Sequence, residues 1–300
     1  VAELEISNRD ARRLWLSAQG LAATPVGPLD LAQTIERLGL VQLDTIQTVA
    51  RAHDHILWSR NQNYRPKHLA KLYKERQVFE HFTHDASVLP MALLPIWARQ
   101  FRRMKAKIDR SSWWKGMPGP EGRAAIKARI AQEGPLCTRD FEAEAPRKKE
   151  MWARAPHKMA LDYMWYAGEL ATCHRRGFEK VYDIAERVFP EGWAEAVPAP
   201  EQEAVALCAE ALDRMGFGTL PEVRKFWDAT EVAEVKDWAA RADLVALRIE
   251  GADGAWTQAV GPADIEARLA DLAQPSSRLR ILNPFDPVIR DRAAGAALWV

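Results

Sequence analysis

Cysteine is scarce in this chain: three residues, Cys137, Cys173 and Cys208, lie far apart with no C-x-x-C spacing. That excludes a disulfide framework and a cysteine-built zinc site, and it suits a reducing compartment such as the cytoplasm. No run approaches the roughly 18 apolar residues of a membrane span, and the opening VAELEISNRDARRLW lacks the apolar core of a signal peptide. A soluble protein without membrane association is expected. Net charge is nearly absent as well, with 42 Lys and Arg against 41 Asp and Glu. A hydrophobic content of 48% in 300 residues excludes a disordered chain and allows two or three ordinary domains.

The small net charge hides a division. Between Arg99 and Lys158 sixteen Lys and Arg stand against seven Asp and Glu, and from Glu201 to Asp271 the balance reverses. A chain with one basic half can meet a polyanion on that side without adhering everywhere, although charge runs are also the ordinary dress of solvated helices. The basic half includes Arg147, Lys148 and Lys149.

Periodicity predicts a mainly helical chain with small β-wings. Ser7 or Asn8 caps a first helix with Ala11, Leu14, Trp15 and Ala18 on one face, and Asp30 caps a second with Leu31, Ile35 and Leu38 inward. VQLDTI (41–46) reads as a strand, ARAHDHILWSRN and PKHLAKLYKERQV as helices, VFEHFTHDASVLP as extended, and MALLPIWARQFRRMKAKID as a basic helix. SSWWKGMPGPEG is the best linker. Beyond it come helices in GRAAIKARIAQEG, TRDFEA and HKMALDYMWYAGEL, then a hairpin with HRRGFE at its tip. The same order returns in EQEAVALCAEALDRMG, TLPEVRKFWDA, EVAEVKDWAARAD and the hairpin LVALRIEGADGAWTQAV. Three helices and a hairpin, twice, predict tandem winged-helix (helix-turn-helix) domains, a design that usually binds DNA. His174, Arg175 and Arg176 on the first wing, with His157 and Lys158 opening its helix, are placed to meet phosphates. The second wing is acidic and suits a structural or protein-facing role.

VQLDTI also raises a chemical question. In an extended chain Gln42 and Asp44 share one face and Val41 and Leu43 the other. The pair is either the solvated face of an edge strand or a site that needs an amide beside a carboxylate.

Four stretches, LGLVQLDTIQTVARAHDHILWSR, HFTHDASVLP, RAPHKMALDYMWYAGELATCHRRGFEKVYDIAERVFP and LNPFDPVIRDR, together resemble the YcaQ/AlkZ-like (AlkX) family of winged-helix DNA glycosylases. The resemblance runs in order along nearly the whole chain. It implies three tandem winged helices, here 1–110, 120–195 and 200–275, and a C-terminal β-barrel. Of the barrel only a β-rich remnant at 276–300 is expected, because AAGAALWV follows PFDPVIRDR where the family continues through a longer segment. It further implies excision of N7-alkylated purines, including those in interstrand crosslinks, with a motif of Gln, an apolar residue, then Gln or Asp. Gln42, Leu43 and Asp44 match the Asp form.

The implied chemistry is consistent with so sparse a motif. Ordinary glycosidases use two carboxyl groups, one as acid. An N7-alkylated purine is already cationic and leaves as a neutral base, so one carboxylate suffices. Asp44 would stabilise the oxocarbenium-like sugar and activate water, and Gln42 would hold that water or the deoxyribose. Without a lysine nucleophile in the motif, a monofunctional enzyme without cofactor or metal is expected. Its partner is double-stranded DNA, met by a monomer in the cytoplasm at the bacterial nucleoid.

Further candidates for DNA contact are Arg51 and Arg60, flanking one helix, and His84 and Asp85, with His81 either beside them in the cleft or in the core. His53, Asp54 and His55 could suggest a metal, but neighbours on a helix diverge in direction. Of the twelve tryptophans, Trp15, Trp97, Trp165 and Trp227 fall within helices and are read as core. A non-catalytic winged-helix transcriptional regulator is the alternative function, in which Gln42 and Asp44 would be dispensable. A structural adaptor using the acidic half is a third, and it predicts binding insensitive to salt.

Overall fold

The computed structural model describes residues 3–144, 154–290 and Leu298. Its elements, in chain order, begin with β1 (Leu4–Ile6), α1 (Asn8–Ala18), α2 (Leu31–Leu38), β2 (Val41–Gln42), α3 (Ala52–Arg60) and α4 (Pro66–Lys74). They continue with β3 (Val78–Phe82), β4 (Ala86–Pro90), α5 (Leu94–Asp109), α6 (Pro120–Glu133), β5 (Leu136–Cys137), α7 (Pro156–Tyr166), β6 (Leu170–Arg176), β7 (Glu179–Ile184) and α8 (Ala185–Val188). The last are α9 (Pro200–Met215), α10 (Leu220–Trp227), α11 (Val232–Arg241), β8 (Leu244–Glu250), β9 (Trp256–Pro262), α12 (Ile265–Ala270) and α13 (Pro287–Arg290). The architecture is mainly helical with small sheets, and no closed barrel occurs among the described residues.

Two compact units are interleaved along the chain. The first gathers residues 1–68, 83–90 and 199–300, and the second gathers 69–82 and 91–198. In the first, Ser7 accepts from Asp10 N and Asp30 from Gln33 N, so both expected N-caps are present. β1 joins the far hairpin: it runs parallel to β8 with Leu4 opposite Leu247, and β8 pairs antiparallel with β9. α9, α10 and α11 pack on one another, and Trp227 is buried with its Nε1 donating to Leu207 O at 2.9 Å. Gly39 ends α2 at φ +74, a conformation that favours glycine, and turns the chain directly into β2.

The second unit is built around α5, α6, α7 and a three-stranded sheet in the order β5-β7-β6. Ile130, Phe141, Leu161, Met164 and Leu170 form its core. TRDFEA is a 3₁₀ segment, Thr138–Glu144, where the sequence predicts an α-helix; the Asp140 carboxylate accepts from Cys137 N at 2.7 Å and holds the chain in a tight turn. The hairpin tip is Gly177–Phe178, so His174, Arg175 and Arg176 lie within β6. Arg147, Lys148 and Lys149 lie outside the described residues. Residues 276–290 carry no strand and run irregularly into α13; of the expected β-rich remnant, 291–297 and 299–300 lie outside the described residues. No helix among the described residues is long and apolar enough to cross a membrane.

Candidate active site

The QLD triplet enters from a short ladder. Val41 pairs with Val88 and Gln42 with Ser87, and Leu43 N adds one more bond to Ala86 O at 2.8 Å. There the strand stops, two residues long where the sequence predicts six. The reason is Asp44, whose Oδ1 accepts from Ile46 N at 2.7 Å and folds the chain into an Asx turn that competes with the ladder. Alternation of faces therefore does not govern the pair. Val41, Gln42 and Leu43 are all buried, Gln42 at 5% exposure, whereas Asp44 is half-buried.

Asp44 lines a cavity of about 1140 Å³ within the first unit. Gln42 is not among the lining side chains of the described residues. One wall is α3, where His55, Trp58 and Ser59 share a face at helical spacing while Ile56 and Leu57 point into the core. Asp54 also reaches the cavity, and Tyr64 holds it by donating its hydroxyl to Asp54 Oδ1 at 2.7 Å. Burial, and then that carboxylate, raise the Tyr64 phenol above its usual value, so it serves as a fixed donor.

The opposite wall is the irregular segment from Arg278 to Phe285. It is anchored to α3. Arg60 Nη2 donates to Asp286 Oδ1 at 2.8 Å, Nη1 bonds Asp286 Oδ2, and Nε donates to Gln19 O at 3.1 Å. Arg280 donates to Ser59 O at 2.9 Å. Arg60 is thus a buried clamp, which corrects its expected role as a phosphate contact: its guanidinium faces inward, already paired with a carboxylate.

Arg175 is corrected in the same way. It forms a two-pronged pair with Glu80, at 2.7 Å on both bonds, and also donates to Phe178 O at 2.6 Å. The Glu80 side chain is fully buried, so this β6 arginine supplies the opposite charge beside an interior carboxylate. His174 and Arg176 on the same strand are exposed, as is Lys158 in the first turn of α7; His157 beside it is half-buried and stacks on Phe141. Arg51 is half-buried immediately before α3. His84 Nε2 lies 3.4 Å from Phe226 O, and Asp85, exposed, accepts from Ala86 N at 2.8 Å to shape the turn before β4.

His81 belongs to the core. Trp97 Nε1 donates to its Nδ1 at 2.9 Å, which leaves Nε2 as the donor to Tyr166 O at 3.2 Å. Complete burial lowers its pKa from 6.5 to about 3 and keeps the ring neutral. Among the described residues no group of three His, Cys, Asp or Glu side chains converges as a metal site.

The model of the family described as DNA glycosylase AlkZ-like matches residues 35–299, which spans the QLD triplet, both hairpins and the PFDP segment. The chain belongs to the AlkZ-like DNA glycosylase family. The fold is similar to that of the Streptomyces sahachiroi DNA glycosylase AlkZ, with a TM-score of 0.66 and 16% identity over 95% of this chain and 77% of that one. The protein is accordingly an enzyme that hydrolyses N-glycosyl bonds in DNA, and the reading as a non-catalytic regulator is set aside. In this glycosylase Asp44 stands half-buried at the edge of an open cleft whose lining is mostly apolar and also holds Asp54, Arg65, Arg278 and Arg280. Sequence reasoning missed the Asp54–Tyr64 pair, Trp58 and the whole 278–285 wall. The HDH triplet signalled Asp54 only as a metal ligand, because its partner lies ten residues on across a turn.

Proposed function

We propose that this glycosylase excises N7-alkylated purines from double-stranded DNA, unhooks interstrand crosslinks through the same chemistry, and leaves an abasic site. Asp44 is the catalytic residue. The observation that carries this reading is a half-buried carboxylate, aimed by one backbone bond from Ile46 N, at the edge of an open, mostly apolar cleft. Placed beside the sugar, it stabilises the positive charge that develops as the glycosidic bond breaks and takes a proton from the incoming water. The base leaves neutral, so no acid is needed on its side. Gln42, buried two residues upstream and outside the cavity lining, is assigned as a positioning residue that fixes the chain leading into Asp44, through its pairing with Ser87, and not as a direct contact to the water or the deoxyribose.

The orders α6, Thr138–Glu144, α7, β6, β7 and α9, α10, α11, β8, β9 support two winged helices, with a third formed from the first hundred or so residues. Exposed Lys158, His174 and Arg176 are the phosphate contacts of a monomer acting on bacterial DNA.

The test is single-turnover excision from a duplex holding one N7-methylguanine or one nitrogen-mustard crosslink. Asp44→Asn, which keeps size and the Asx turn, should reduce the rate by about 10²- to 10⁴-fold with DNA affinity retained. A variant as active as wild type removes Asp44 from the chemistry.

A further inference from the structure

The charged groups of the cleft beside Asp44 do not pair with one another. Its lining holds two carboxylates, Asp44 and Asp54, and three guanidiniums, Arg65, Arg278 and Arg280. Asp44 accepts from Ile46 N and Asp54 from the Tyr64 hydroxyl, and among the described residues neither meets one of these arginines. Arg65 Nη1 donates instead to Gln62 O at 2.8 Å and Tyr64 O at 2.6 Å, and Arg280 to Ser59 O at 2.9 Å and to Ala23 O. Carbonyl oxygens satisfy N–H groups but bring no counter-charge. Arg280 also feels the Arg60 guanidinium, whose own anion is Asp286; burial, and then that like charge, lower the Arg280 pKa. Arg278 is exposed, and its side chain has no hydrogen-bond or ion-pair partner among the described residues. Its backbone is nonetheless held, with Arg278 N donating to Ser276 Oγ at 3.3 Å and Ser276 N to Ala22 O at 2.8 Å.

Two arginines two positions apart on one wall, without a carboxylate between them, suit an anion that both can share. Continuity with Asp44 identifies that anion. A carboxylate brought to the sugar of a DNA strand also approaches the phosphates bonded to that sugar, and like charges repel. Guanidiniums in the same lining offset that repulsion, and their planar forks match the paired oxygens of a phosphodiester.

We propose that Arg278 and Arg280 bind a phosphodiester bonded to the damaged nucleotide in its own strand and so hold the sugar against Asp44. This assignment rests on Asp44 being the catalytic carboxylate. Arg280, anchored on two carbonyls, is the fixed half of the site, and Arg278, free at its guanidinium, is the half that closes on the phosphate.

The experiment measures kcat/KM for excision of a single N7-methylguanine by the full chain, Arg278→Ala and Arg278→Lys. Four duplexes are compared: one with all its phosphates, and three in which a neutral methylphosphonate replaces the phosphate on the 5′ side of the lesion, the one on its 3′ side, or the one facing it in the opposite strand. On the unmodified duplex Arg278→Ala should lose about ten- to a hundredfold, the scale of a hydrogen bond to a charged group, and Arg278→Lys, which keeps the charge without the fork, should lose less. One of the two flanking methylphosphonates should cost wild type a similar factor. On that duplex Arg278→Ala should lose less than about threefold more, because the two changes remove the same contact. Its melting temperature should match that of wild type, the position being exposed. An Arg278→Ala variant as active as wild type overturns the proposal, as does one that loses its full factor on both flanking methylphosphonate duplexes, or coupling to the opposite strand alone; the glycosylase reading survives all three. Excision of nothing by wild type from the unmodified duplex overturns the underlying reading, and this proposal with it.

Discussion

Removing the counter-charge of Arg60 should be among the most damaging single changes in the first unit. The Arg60 and Asp286 side chains are 3% and 0% exposed, and the carboxylate also accepts from Val288 N at 3.1 Å. Asp286→Ala leaves a guanidinium in the interior with carbonyl and hydroxyl acceptors at Gln19, Ile56 and Ser59 but no anion. Breaking a buried pair from one side costs about 3–5 kcal/mol. Asp286→Asn keeps the shape and an acceptor for Val288 N, so it should cost about 2–3 kcal/mol, the scale of a bond to a charged group. The double change Arg60→Met/Asp286→Leu removes both charges and should cost much less than Asp286→Ala, because no desolvated ion remains. Equilibrium urea unfolding, read as the shift in midpoint at constant slope, measures all three. Excision should fall with Asp286→Ala as well, since the pair anchors the segment that forms one wall of the cavity. Single variants that cost less than about 1 kcal/mol, or a double variant no better than the singles, would refute the reasoning that Arg60 is a clamp.

Other expectations follow from the same geometry. Gly39→Ala should cost about 2–4 kcal/mol in a melting or urea experiment, from a left-handed backbone and from crowding: a Cβ there would stand 2.5 Å from Arg214 Cδ and 2.6 Å from Trp227 Cη2. His81 has a folded pKa of about 3 against 6.5 unfolded. The unfolded chain then binds the extra proton between those values, so stability is full above pH 6.5 and falls as pH drops toward 3, by about 1.4 kcal/mol per pH unit from this group. His81→Gln, which keeps a donor and an acceptor without titrating, should flatten that part of the pH profile. Arg176→Ala should weaken DNA binding and reduce the slope of log affinity against log salt by about one, the signature of a lost phosphate contact. Arg175→Ala should instead lower stability by about 3–5 kcal/mol, because Glu80 is left buried without its cation, with the Tyr73 hydroxyl as its remaining side-chain donor.

Local signals were legible in the sequence. Ser7 and Asp30 announced their caps, the helical faces of α1 and α2 buried the residues their spacing indicated, and Gly177 marked the hairpin tip. These depend on neighbours within about four positions, the range over which capping, periodicity and turn chemistry act. The QLD triplet was legible too, as a resemblance carried by residues, although its strand geometry was not. A single side-chain bond from Asp44 to Ile46 N ended the ladder and placed Gln42 inside and Asp44 at the cavity.

What tertiary structure alone decided are the pairings across long stretches of chain. Arg60 and Asp286 are 226 positions apart and Glu80 and Arg175 are 95, and nothing local distinguishes these arginines from the phosphate contacts they were expected to be. A surface arginine and a buried one have the same side chain and the same helical or strand neighbours. The difference is whether a carboxylate waits in the interior, and burial of that carboxylate makes the pairing compulsory. The Gln42-Leu43-Asp44 triplet was therefore within reach of the sequence because it is carried by contiguous residues. The cavity beside it was not, because one wall comes from residues 52–59 and the other from 278–285, and the buried Arg60–Asp286 pair ties the two stretches together.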